Sequence, residues 1–524
     1  MENDSEALTA LAPTPPEPPP IEPQPSLALE LALHPDDSLR LRRLPDLAPL
    51  RQARSRTSKL HVVWHDTPNG TLAGHGLALA EHHCGRESRW QVERMRPARD
   101  AIWVPGTPPP VLEVAAEIGA LTHPLPAPLL PVAAFTGILR SMPADGDPRG
   151  VSLALQEGVL RAVVDEQPVC RVILRGPARE VETLALALAG SVRLAVPRAA
   201  LSAEAYAMAR PEPPPRNLGA PELPPHLSVG DAFAYIVAHL TDVLLHWAPA
   251  AAACQSAEPV HQMRVAIRRL RSAISLFRRA VACPSVDSLN SQLRKILQLL
   301  GPTRDWDVFV AGTGHQVAAT FAADPAVLRL VAAAERRRVA SYAALKAFLE
   351  GPGFRQLGLT LAVLAATRPW ERLPAPAEGD LAAAKQAESL AGPLAEYASR
   401  KLSRRHEAML DLEGDPTTLP AAELHALRIK GKRLRYAAEF FAPLYPSREA
   451  RRFIDRLAKL QERLGHLNDG AVAAQLMGQL GSPGRGRGYA AGVVGGFVAA
   501  GAAGARLKLG ETWRKFVRMR AFWR

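Results

Sequence analysis

Two stretches of this 524-residue chain carry histidine and cationic side chains at one spacing. Val260–Phe277 reads VHQMRVAIRRLRSAISLF, and Leu424–Phe441 reads LHALRIKGKRLRYAAEFF. Each sets cations three, seven, eight and ten positions after its histidine. Arg264, Arg268, Arg269 and Arg271 follow His261; Arg428, Lys432, Arg433 and Arg435 follow His425. At 100° per residue, His261, Arg264, Arg268 and Arg271 fall within an arc of about 80°, and His425, Arg428, Lys432 and Arg435 repeat it. Guanidinium and ammonium groups in such a row suit phosphoryl or carboxylate oxygens.

The helix that must present each row is amphipathic. Met263, Ile267, Leu270, Ile274 and Phe277 lie opposite the first row; Leu427, Leu434, Ala438 and Phe441 lie opposite the second. Exposed helices ordinarily mix signs through Glu–Lys pairs, yet His261–Arg279 contains no carboxylate. A single such face reads first as a solvated charged surface. Two copies in phase point to an anion. For each histidine, a structural hydrogen bond and a ligand contact both stay open. The 164-residue offset recurs between Gly301 and Gly465 and between Asp305 and Asp469, which marks an internal duplication.

The net charge of +13 is unevenly placed. Residues 226–524 hold 42 Lys+Arg against 25 Asp+Glu, whereas residues 1–225 hold 22 against 26. The duplicated half therefore calls for a polyanionic partner: polyphosphate, nucleic acid or a membrane surface. Cys84, Cys170, Cys254 and Cys283 form no CxxC pair, suggest neither a disulfide framework nor a zinc site, and fit a reducing cytoplasm. The acidic, Pro-rich N-terminus does not read as a signal peptide. Tyr489–Ala505 is uncharged but mostly Gly and Ala, so it reads as a helix that packs closely through small residues, not a transmembrane span.

Residues 1–25 read as a disordered tail. Residues 26–210 read as an α+β region built on a curved antiparallel sheet. Its expected strands include Ser26–Leu33, His61–Trp64, Gly76–Ala80, Trp90–Met95, Val151–Leu155, Leu160–Val164 and Val169–Leu174. Turns are expected at 66–70 and near Glu157-Gly158, and helices over Val111–Ile118 and Glu180–Ala189. Residues 211–225 read as a Pro-rich linker. Residues 226–524 read as eight to eleven helices in two similar bundles, about 226–390 and 391–524, packed about a pseudo-twofold axis. That packing could face both rows toward one groove.

The rows, together with LLGPTRDWDV, closely resemble the CHAD family, the conserved histidine α-helical domain, over about 226–524. The resemblance implies an all-α domain of two pseudo-symmetric bundles. It also implies a basic surface that binds inorganic polyphosphate, often on polyphosphate granules. His261, Arg264, Arg268, Arg269 and Arg271 match the family's first basic helix, and His425, Arg428, Lys432, Arg433 and Arg435 its second. Arg336, Arg337, Arg338, Arg400, Lys401, Arg404 and Arg405 could extend the track. The first half, through HVVWHDTPNGTLAGHGLALAEHH, resembles the CYTH or triphosphate-tunnel fold. That family opens with a Glu-x-Glu-x-Lys strand; here Ser26, Ala28 and Glu30 stand in the best register. Ala80, Glu81 and His82 stand where arginines are expected, and Val169–Arg175 has no carboxylate. A hard divalent cation needs several oxygen ligands, so the copy reads as degenerate.

These observations lead to the expectation of a non-catalytic polyphosphate-binding protein of the cytoplasm, associated with polyphosphate granules. It should have no catalytic residue, metal or cofactor. A nucleic-acid-binding protein is the alternative; the rows carry no stacking aromatic, with Tyr436 and Phe440 at the apolar margin. A metal-dependent triphosphatase is the second alternative, disfavoured by the missing carboxylates.

Overall fold

Alternation in Ser26–Leu33 (β1) buries Leu27, Leu29, Leu31 and Leu33 on one face. The chain then forms β2 (Arg56–Asp66), β3 (Leu77–Cys84), β4 (Glu87–Arg94), β5 (Val111–Leu112), β6 (Leu130–Met142), β7 (Ser152–Ala162), β8 (Glu166–Pro177) and β9 (Leu194–Ala195). They pair antiparallel in the order β5-β4-β3-β2-β6-β7-β8-β1-β9 and curl into a half-barrel. This computed structural model describes residues 26–52, 55–95, 103–112, 128–163, 165–210, 217–254, 256–372, 380–412, 415–480 and 485–524. The tail over 1–25 and the linker residues 211–216 lie outside them.

One face of the sheet packs on α1 (Ala178–Ser191), whose Val181, Leu184 and Leu188 are buried. The other face is lined by Leu60, Val62, Trp64, Ala133, Phe135, Leu160 and Val169, and α2 (Leu201–Met208) covers it with Ala205 and Tyr206. The Tyr206 hydroxyl donates to the His65 carbonyl at 2.6 Å. Asp66 anchors the end of this helix: its carboxylate accepts from the Leu72 and Ala73 amides at 2.9 and 3.1 Å and from Arg210 at 3.1 Å.

Two local expectations are corrected. Val111–Leu112 is a strand paired with β4, not the start of a helix, because Pro108, Pro109 and Pro110 hold the approach extended; residues 113–118 lie outside the described residues. No turn breaks Glu157-Gly158. Strand β7 runs through it, with Gly158 facing Gly137 on β6. A Cβ on Gly137 would lie 2.2 Å from the Glu157 carbonyl oxygen, and one on Gly158 2.3 Å from that of Thr136. Those glycines permit close approach of backbone, not reversal.

From Val229 the fold is helical: α3 (Val229–Ala252), α4 (Ala257–Phe277), α5 (Pro284–Phe309), α6 (Pro325–Glu350), α7 (Pro352–Thr367), α8 (Leu381–Ala391), α9 (Leu394–Leu410), α10 (Ala421–Phe441), α11 (Arg448–Gln479) and α12 (Arg485–Val517). Both ends of α4 and α10 differ by the 164-residue offset, as do the starts of α5 and α11. The first copy breaks into a π-helical turn at Val310–Gly314 where α11 continues. Phe277 packs on its own equivalent, Phe441, at 6.1 Å between ring centroids. It also meets Phe233 at 5.6 Å and Tyr397, the equivalent of Phe233, at 5.3 Å. Equivalent residues that touch are what a pseudo-twofold axis between repeats requires.

The two halves of the chain share one apolar core. Arg355 and Gln356 on α7 donate to the carbonyls of Ala189 and Leu186 at the end of α1, at 3.1 and 3.2 Å. Helix α12 lies against α11 and α6, but close packing through its small residues is confined to one side. Gly492, Gly495, Gly496, Gly501 and Gly504 face open space. Among the described residues, Gly488–Val517 is long and apolar enough to cross a membrane by length and composition.

Candidate functional site

Burial of Met263, Ile267, Leu270, Ile274 and Phe277 fixes α4, and burial of Leu427, Leu434, Ala438 and Phe441 fixes α10. Their cationic faces are thereby turned away from the core. Between the repeats lies a groove of about 1770 Å³, in whose walls eleven Lys or Arg residues stand against four carboxylates. Arg268 and Arg271 enter from α4; Lys432 and Arg433 enter from α10. Both copies therefore line one cavity. Arg400, Lys401 and Arg404 on α9 form a further wall.

Sequence reasoning missed Arg278, Arg279, Arg294 and Lys385, which also line the groove. Arg278 and Arg279 continue the phase of the first row and could have been found by extending it one turn. Arg294 on α5 and Lys385 on α8 arrive only through tertiary packing.

The remaining candidates divide by partner. Arg264 donates to the Gly301 carbonyl and to Asp305, each at 3.0 Å. The echoed Gly and Asp thus tie α5 to the row. Arg269 and Arg435 both end on Glu439, at 3.0 and 2.7 Å. Glu439 has Ser275 as its equivalent, so this clamp exists in one copy only. Arg271 donates to Asn290 at 3.2 Å. His261 and Arg428 are half-buried and His425 is exposed, on the N-terminal turns of their helices.

Arg405 turns its guanidinium onto the Arg433 carbonyl at 2.6 Å. Arg336–Arg338 lie away from the groove wall; Arg338 pairs with Glu335 at 2.7 Å and with Asp307 at 3.4 Å. Asp307 also accepts from the Tyr342 hydroxyl at 2.9 Å. The side chain of Asp469 lies outside the described residues.

The electrostatics show charge held without counter-charge. Burial, then Arg268, Arg428 and Arg264, push the Lys432 amine down to about 7. Burial, then Arg279 and three arginines of its own helix, push Lys401 down to about 8. Lys401 also lies over the Tyr397 ring, 4.8 Å from its centroid. Burial first and Arg304 second hold His261 below its ordinary value, so its ring is neutral at pH 7 and serves as a hydrogen-bonding group.

Inside the half-barrel, Glu30 faces Arg171 at 3.4 Å, and burial raises its carboxyl to about 7. Arg171 donates to Glu204 on α2 at 2.5 Å. The chain's own acids thus answer the arginine of this interior. Among the described residues, no three His, Cys, Asp or Glu are grouped so as to hold a metal ion.

The family model of the CHAD domain matches residues 234–478. This chain carries a CHAD domain, and the paired basic helices lie inside it. The N-terminal region is the curled antiparallel sheet that its sequence resemblance implied. Among solved structures, the CHAD domain from the plant Ricinus communis is 28% identical, with 59% of this chain and 98% of that one covered and a TM-score of 0.49. PptA from Streptomyces chartreusis is 18% identical, with 55% and 100% covered and a TM-score of 0.40. A Hippeastrum protein described as an adenylyl cyclase with a dominant triphosphatase activity is 14% identical, with 29% and 80% covered and a TM-score of 0.20. No curated protein matches the chain.

Proposed function

We propose that this protein binds inorganic polyphosphate, without cleaving it, in the groove between the repeats, and that it associates with polyphosphate granules in the cytoplasm. The carrying observation is the excess of eleven cations over four carboxylates in a cavity that both copies wall. A flexible chain with about one charge per phosphate matches such a surface, and arginine forks suit its oxygens. The helix lying on the half-barrel's sheet supports a non-catalytic role. Helix α2 packs Ala205 and Tyr206 on that face of the sheet, and the chain's own Glu30 and Glu204 stand 3.4 and 2.5 Å from Arg171.

Nucleic acid is the second reading, favoured by one observation. Tyr436, placed by its period at the apolar margin, reaches the groove wall. Stacking on an aromatic would be worth about 1–3 kcal/mol per base. Competition separates the two. Labelled long-chain polyphosphate is challenged at physiological salt with single-stranded DNA, duplex DNA and tripolyphosphate. Retention against DNA at matched phosphate concentration is the expected result; equal displacement makes nucleic acid the better partner.

A further inference from the structure

We infer that binding of a polyanion in this groove is coupled to proton uptake by Lys432 and Lys401. The inference rests on the proposed binding reading and adds a regulation to it. Its basis is the company these two lysines keep. Among the described residues neither has a carboxylate partner, although both line a cavity whose acids, Asp287, Asp380, Glu388 and Glu396, stand elsewhere on its wall.

The groups that act on Lys432 are Arg264 and Arg268 from α4 and Arg428 from its own helix. Those that act on Lys401 are Arg279, just beyond α4, and Arg400, Arg404 and Arg405 from α9. Every one of them is a guanidinium; even Arg405, which burial lowers to about 10, keeps its proton at pH 8. In the empty groove the lysine amines are therefore the groups that yield to the crowding, and they do so by releasing a proton.

An anion reverses the balance. Negative charge laid beside the two amines favours their ammonium forms, so each takes a proton from solvent as the ligand enters. The nitrogen lone pair accepts the proton and nothing else is consumed. Between the free value of about 7 for Lys432 and the higher value in the complex, each drop of one pH unit tightens binding by up to about tenfold per proton taken up. The groove thereby holds its ligand more firmly as its surroundings acidify.

Other titrating groups can be kept silent. His261 titrates below its ordinary value and is neutral at pH 8. Tyr397 is raised and keeps its proton there.

The experiment is calorimetric titration of the full chain with long-chain polyphosphate at pH 8, in two buffers of different ionisation heat. Wild type should take up at most about 1.4 protons, since Lys432 is then roughly nine-tenths neutral and Lys401 about half neutral. Lys432→Arg keeps a cation that cannot deprotonate; per complex formed, its uptake should fall by about 0.9 proton, whatever the change in affinity. Lys401→Arg should remove about half a proton.

Binding by wild type without proton uptake would overturn the inference. So would a Lys432→Arg protein that binds and takes up as many protons as wild type. Absence of any binding would instead overturn the polyphosphate reading. The pH dependence of wild-type affinity gives a check that needs no variant: a flat profile between pH 7 and 9 excludes the coupling.

Discussion

Arg269 in the first repeat donates to Glu439 in the second at 3.0 Å, and the two side chains are 14% and 10% exposed. Arg435 meets the other oxygen of the same carboxylate at 2.7 Å. One acid thus fixes a guanidinium from each copy, and those two arginines hold the seam while their neighbours face the groove. Removing one partner of a buried pair costs about 3–5 kcal/mol, because a charge is left buried alone. Glu439→Ser, which makes the second copy match Ser275, should therefore lower the denaturant midpoint sharply without changing the unfolding slope. An unchanged midpoint would show that the clamp carries no stability.

The salt dependence of polyphosphate binding should count the groove's contacts. Arg279 and Arg404 are exposed and line the wall. For a single-stranded chain, each lost contact flattens the slope of log affinity against log salt by about 0.7. Arg279→Ala and Arg404→Ala should each produce that change, additively. A slope that stays put in both variants would place the ligand elsewhere.

Stability of the empty protein should rise with pH across the lysine window. Lys432 is depressed to about 7 and Lys401 to about 8 from an ordinary 10.5. Between these values and 10.5 the unfolded chain binds more protons than the folded one, so raising the pH favours the fold, and lowering it to about 7 removes that advantage. Thermal midpoints between pH 7 and 10, compared with those of Lys432→Met, test the sign. The variant should show a flatter rise and a higher midpoint at neutral pH.

The half-barrel should be inert toward triphosphates and dependent on its internal helix. Wild type should release no phosphate from tripolyphosphate with magnesium or manganese. Tyr206→Ala removes a buried ring and the hydrogen bond to the His65 carbonyl, a loss of about 3–5 kcal/mol by analogy with other large aromatic truncations. It should destabilise the sheet without creating a phosphatase. Metal-dependent phosphate release by either protein would reverse the reading of this domain.

Gly137→Ala should damage the same sheet from its backbone. Its Cβ would lie 2.2 Å from the Glu157 carbonyl oxygen, so β6 and β7 must part. Overpacking of this kind costs about 1–3 kcal/mol, readable as a lowered midpoint. A wild-type midpoint would show that the strands yield freely.

What could be read from the chain alone follows from repetition and period. The cationic rows were legible because they occur twice in phase, and the apolar faces of α4 and α10 followed from the same spacing. That both copies wall one cavity was only an inference until Phe277 was found on Phe441. Arg294 and Lys385 could not be assigned, because nothing local distinguishes a groove cation from a solvated one. Arg435 lies in phase with the row, yet Glu439 four residues on draws it away, a competition that charge pattern shows only once the helix neighbours are known. Strand β6 escaped notice because VAAFTGIL alternates weakly. The Gly137–Gly158 contact is invisible until the register is known, and Glu157-Gly158 alone resembles a turn.

The lone carboxylate at 439 has made the two repeats unequal mates. Two copies of the first would place Arg269 against Ser275 and leave that arginine of each copy with no acid. Two copies of the second would bring two acids where the present seam holds one. The repeats are thus complementary rather than interchangeable at the seam, one bringing a guanidinium and the other the carboxylate that receives it.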